Sequence, residues 1–167
     1  MIKPNWKIFQ AKFSDNCTEN FEWFSYLLFC KEYKQPYGIF RYKNQSAVET
    51  NPIEVDNEVI GWQAKFYEVR ISEHKKDLLD TIDKAKRDYP SITKLLIYTN
   101  QEWGQDKGKK PKGQIEVEDK ANSSGIELEW RAPSFFESEF VCEENKNISQ
   151  HFFSLDKSIF NLIEVER

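Results

Sequence analysis

The run from Ile92 to Thr99, ITKLLIYT, constrains the fold more than any other stretch of the chain. A strand with one wet face alternates apolar and polar residues, whereas a nearly continuous apolar run needs cover on both faces. Helices packed on two sides of a sheet supply that cover, so the run points to an α/β fold with this segment as a central strand. Two helical segments are available. Thr18 to Lys34, TENFEWFSYLLFCKEYK, is apolar almost all round, as in an enclosed helix, with Thr18 as expected N-cap, Glu19 in the first turn and Pro36 as the stop. Ser72 is expected to cap EHKKDLLDTIDKAKRDY, in which Leu78, Ile82, Ala85 and Tyr89 share one face and Pro90 ends the pattern.

The other elements follow from turn residues and periodicity. Tyr37 to Lys43 reads as a first strand, and Val48 to Val55 with Glu58 to Tyr67 as a hairpin around Asp56-Asn57. Gln114 to Ser124 fits a strand through Ile115 and Val117 or a helix through Val117 and Ala121; the helix is favoured, with Gly125 just past its end. Ile126 to Ala132 alternates as a strand, Ser134 and Glu137 form a capping-box pair opening another helix, and SLDKSIFNLIEVER is amphipathic up to Arg167. The expected order is α-β-β-β-α-β-α-β, a mixed sheet flanked by helices with its antiparallel strands at one side.

A length of 167 residues suits a single domain with one core. An aromatic fraction of 15% can offset the chain entropy lost on folding, which argues against disorder. The net charge of −4 excludes a generally basic nucleic-acid coat, so any nucleic-acid role must rest on local positive patches. Cys17, Cys30 and Cys142 are odd in number and widely spaced, as expected of reduced, buried thiols in a cytoplasmic protein, and no run is of membrane-spanning length.

Within the hairpin, Gln63 and Lys65 share one face of a strand whose other face carries Trp62, Ala64 and Phe66. Alternation alone would make theirs a solvent face. The apolar helices are sufficient to cover both faces, however, and Glu49, Glu54, Asp56 and Glu58 lie just upstream. A lysine beside carboxylates in a covered site can serve a divalent cation and an attacking water. An acidic residue, a short hairpin and then Gln63-Ala64-Lys65 in GWQAKFYE resembles the PD-(D/E)xK, restriction-endonuclease-like superfamily in its Gln-x-Lys, Mrr-like variant. It is also similar to the N-terminal nuclease domains of antiviral STAND ATPases and of cyclic-oligonucleotide-activated defence nucleases. The resemblance covers roughly the first 130 residues, by order of elements as much as by motif.

The resemblance implies a restriction-endonuclease-like core and a metal-dependent endonuclease using Mg²⁺ or Mn²⁺ on DNA, double-stranded by the same analogy. It further implies the N-terminal effector part of a longer multidomain antiviral protein, attached to an NTPase or sensor region and activated by oligomerisation. Glu49, Gln63 and Lys65 match the catalytic positions; Glu49, Gln63 and Glu22 match the metal ligands. Lys65 would position the attacking water and stabilise charge on the phosphoryl oxygens. The departures are Glu in place of the usual Asp, Val48 before it in place of Pro, and a neutral amide at Gln63. An inactive descendant that binds nucleic acid or a protein partner is the alternative.

Register bears on the choice of acid. With a two-residue turn, Glu54 pairs with Val59 and shares the face of Gln63, but four strand positions away, about 13 Å at the usual rise. Glu49 would be level with Ala64 on the opposite face, and one extra residue, through a longer turn or a bulge at Asn51-Pro52, corrects this. Phosphate contact is expected from the Gly/Lys-rich loop through Lys107, Lys109, Lys110 and Lys112.

Overall fold

The computed structural model describes residues 2–36 and 50–155. Its elements run α1 (Trp6–Phe13), α2 (Cys17–Tyr33), β1 (Ile53–Val55), β2 (Glu58–Lys65), α3 (Lys75–Asp88), β3 (Lys94–Thr99), α4 (Lys112–Ser123), β4 (Glu127–Arg131), α5 (Pro133–Phe136) and α6 (Lys146–Phe153). They form two compact units, Met1–Tyr42 with Pro133–Arg167, and Lys43–Ala132. The expected strand over residues 37–43, Val48 and Glu49, and the segment from residue 156 onward lie outside the described residues. No described helix is long and apolar enough to cross a membrane.

The second unit holds a four-stranded mixed sheet in the order β1-β2-β3-β4. β1 is antiparallel to β2, and β2, β3 and β4 are mutually parallel. Leu95 to Thr99 are all buried, the interior position that the apolar run demanded. Register sets Gly61 beside Leu95 and Leu128, and Gln63 beside Ile97 and Trp130, so these residues share one face. α3 and α4 cover it, with Leu78, Ile82, Ala85, Val117 and Ala121 joining Leu95 and Ile97 in one core. The hairpin turns on Asp56 and Asn57 at φ of 50° and 68°, the left-handed pair that a two-residue primed turn requires. α4 is a helix, as the Val117/Ala121 spacing favoured, and Gly125 leaves it at φ 74°.

In the first unit, α2 begins at Cys17 rather than after a Thr18 cap, because a 3₁₀ turn over Ser14–Asn16 feeds directly into it. Lys34, left-handed at φ 54°, closes the helix before Pro36 is reached. α1 was not foreseen; the Ile8 N–H donates to the Asn5 side chain at 3.0 Å to cap it. Ser134 does not cap α5 but lies inside it. Pro133 takes the first position of a single turn instead, as its fixed φ favours, and a π-helical turn over Phe140–Glu144 leads into α6. Aromatic packing fills this unit: Phe24 stacks on Phe152 at 4.3 Å, and Trp6 meets Phe136 and Phe153 edge-on. The three cysteines are free and buried, and burial pushes the Cys30 thiol up to about 11.

His151 gives this unit a pH dependence. Its ring is 3% exposed among Phe13, Trp23 and Phe152. Burial, with a smaller contribution from the Lys12 charge, lowers its pKa to about 4. The unfolded chain binds a proton near pH 6.5 that the folded one refuses, so stability falls as pH drops from 6.5 towards 4. The loss integrates to about 3 kcal/mol. Urea unfolding at pH 7 and pH 4 should show His151→Gln losing that much less than the wild type; equal losses would remove His151 from the account.

Candidate functional site

Covering both faces of β2 leaves Gln63 in the interior, 8% exposed, on the face that α3 and α4 close. Trp62, opposite, is fully buried, meets Tyr98 edge-on at 5.9 Å and donates its indole N–H to Thr50 Oγ1 at 2.9 Å. The face of Gln63 and Lys65 is therefore not a solvent face. Lys65 is the last residue of β2, where the covered face opens at the C-terminal ends of the parallel strands. In open α/β sheets that edge is where ligands bind.

The carboxylate that meets Lys65 comes from α3, and sequence reasoning missed it. Lys65 Nζ lies 3.1 Å from Asp77 Oδ2 and 3.4 Å from Oδ1. The Tyr67 hydroxyl donates to Asp77 Oδ2 at 2.7 Å. Burial opposes the charge on Asp77, but the Lys65 ammonium and the Tyr67 hydrogen bond outweigh it and hold the carboxyl below the usual carboxylate range. Burial and the neighbouring Asp77 charge both push the Tyr67 phenol far up, so it remains a donor. The Tyr67 ring lies flat on His74, 3.8 Å between centroids and 5° between planes. β2 stops at Lys65, short of the expected Tyr67, because the buried Asn100 side chain takes over the Tyr67 backbone: it accepts from the N–H at 2.8 Å and donates to the carbonyl at 2.9 Å. Gln101 Nε2 adds a second bond to that carbonyl at 3.1 Å.

The hairpin register is Val55↔Glu58, Glu54↔Val59 and Ile53↔Ile60, which rules out a longer turn. Glu54 is exposed and sits four positions from the Gln63 level, as the spacing implied. The ladder ends at Ile53, next to Pro52, which has no N–H to pair. Beyond it residues 50–52 belong to no strand. Thr50 reaches Trp62, and Asn51 Oδ1 stands 3.5 Å from the hydroxyl of Tyr89, which packs on the α3/α4 face. Glu49 itself lies outside the described residues, and Glu22 stands half-buried on α2 in the first unit.

Between β3 and α4 the basic loop leaves the same edge of the sheet as Lys65. Asp106 and Lys109 exchange backbone hydrogen bonds of 2.9 and 3.0 Å, with Lys107 and Gly108 at φ of 52° and 76° between them. Lys110 is tied to Glu118 at 2.9 Å, and Glu118 also accepts from Trp130 Nε1 at 2.8 Å and Gln114 Nε2 at 3.1 Å. Lys107, Lys109 and Lys112 are exposed, with no ion pair among the described residues. Trp103 packs edge-on against Trp130 at 5.7 Å, so it serves the core rather than offering a free stacking face.

Among the described residues, no group of three or more His, Cys, Asp or Glu side chains is placed to hold a metal ion. Of the expected ligands, only Gln63 lies in the described part of this unit; its amide oxygen is a hard donor of the kind Mg²⁺ accepts. The chain matches no protein-family model and no curated protein.

Proposed function

We propose that the chain is a metal-dependent endonuclease domain acting on DNA, with Gln63 and Lys65 at its centre. The observation that carries the reading is the covered Gln63–Lys65 face, ending in an ammonium held by a carboxylate at the C-terminal edge of a parallel sheet. The order of elements around it supports a restriction-endonuclease-like core. Glu49 is favoured over Glu54 as the acid. Glu54 is four strand positions from the Gln63 level, too far along the ladder to share one small ion with it. A divalent ion held by Glu49 and the Gln63 oxygen would polarise the scissile phosphate. Lys65 donates to a phosphoryl oxygen, where its charge counts most as negative charge develops.

Supercoiled plasmid incubated with Mg²⁺ or Mn²⁺ should be converted to open-circle and linear forms, and EDTA should stop the conversion. Because the resemblance implies activation by assembly, the assay includes a forced dimer. Cleavage in neither form would overturn the proposal. A second reading, an inactive module that still binds nucleic acid, is favoured by the neutral amide at Gln63 and by Asp77 already neutralising Lys65. It gives retarded migration without cleavage.

The loop lysines make a separate prediction. Removing Lys107, Lys109 and Lys112 together should reduce the slope of log affinity against log salt by about 3, near 0.9 for each phosphate that is no longer neutralised. Stability should be unaffected, since all three are exposed. Lys110→Ala should have the smaller electrostatic effect, because that ammonium is already paired with Glu118. Filter binding across a salt series measures both, and an unchanged slope in the triple variant would remove the loop from the interface.

A further inference from the structure

We propose that Asp77 is the positioning residue for Lys65, with Tyr67 fixing Asp77 in turn; the inference rests on the nuclease reading. An ammonium on a four-carbon stem samples many rotamers, and its catalytic use demands one. Here both carboxylate oxygens of Asp77 lie within 3.4 Å of Lys65 Nζ. An ammonium has three N–H donors, so engagement with Asp77 leaves at least one for a phosphoryl oxygen.

The carboxylate is itself held more firmly than an ordinary acid in a helix first turn. Such an acid gains from the helix dipole with no further partner. Asp77 has, in addition, the 2.7 Å bond from Tyr67, whose backbone is clamped by Asn100 and Gln101 and whose ring is stacked on His74. The order of fixation runs from the end of β3 through Asn100 to Tyr67, Asp77 and Lys65. A lysine needed only for solubility requires none of it, and Lys107, Lys109 and Lys112 have nothing comparable.

The test combines steady-state cleavage of a DNA duplex with acetylation of each lysine, followed by mass spectrometry, in Asp77→Asn, Asp77→Glu and Tyr67→Phe. Asp77→Asn should lower kcat by about 10- to 100-fold with KM within twofold, the usual effect of losing an orienting partner. Tyr67→Phe should give a smaller loss in the same direction, and Asp77→Glu should recover part of it. In the wild type Lys65 should be acetylated more slowly than Lys107 or Lys109, and Asp77→Asn should accelerate it at least fivefold. Acceleration with an unchanged kcat overturns the positioning role, and so does an unchanged acetylation rate. If the wild type does not cleave, the nuclease reading falls by itself, and the positioning role with it; if wild type and Lys65→Ala cleave equally, only the positioning role falls, and in either case the acetylation ratio still reports whether Asp77 holds Lys65.

Discussion

Lys65→Ala is expected to lower metal-dependent cleavage by about 10³-fold or more, equivalent to about 4 kcal/mol of transition-state stabilisation, with the fold intact. The magnitude follows from where the charge sits. The Lys65 side chain is 16% exposed, on the covered face of β2, where an aligned donor is worth far more than in bulk water. The cost to stability is small by contrast. Asp77 is 48% exposed and can rehydrate once its partner is gone, so the lost ion pair contributes less than about 1 kcal/mol. Cleavage and thermal unfolding, measured on one preparation, should therefore separate: activity gone, midpoint nearly unchanged. A variant cleaving within a few-fold of wild type would reduce Lys65 to a structural lysine.

Trp62→Ala should do the converse, destabilising the protein by about 4 kcal/mol. Trp62 is fully buried on the other face of the same strand, packed edge-on to Tyr98 and hydrogen-bonded to Thr50. Truncation removes a fully buried indole and leaves a cavity in its place, and it strands the Thr50 hydroxyl. Trp62→Phe retains most of the volume and should cost about 1–2 kcal/mol. Urea midpoints measure both. A loss below about 1 kcal/mol for alanine would mean that this face is not the core its burial describes.

The two faces of β2 were legible because a period of two is a local property: Trp62 and Ala64 against Gln63 and Lys65 needs only the sequence. The interior place of β3 was legible for a similar reason, and Asp56-Asn57 announced its own turn. Asp77 was not, since the helical pattern of Leu78, Ile82 and Ala85 marks what packs and treats the neighbouring acid as one more polar position. A signal did exist. A helix that follows a strand and returns to a parallel neighbour begins near the C-terminal end of that strand, so a first-turn acid is placed to meet the strand's last residues. Asn100 escaped notice because a side chain replacing a ladder partner has no periodicity. The helix starts misjudged at Thr18, Ser72 and Ser134 share one cause: a preceding 3₁₀ turn, or Pro133, supplies the first turn before the expected cap is reached.

The most direct test is a crystal of the protein soaked in Mn²⁺ and measured at an energy where manganese scatters anomalously. A peak coordinated by the Gln63 amide oxygen and the Glu49 carboxylate, with the Lys65 ammonium beside it, is the expected result. A difference map with no peak at Gln63, or with manganese bound only at exposed Glu54, would contradict a hydrolytic centre on this strand.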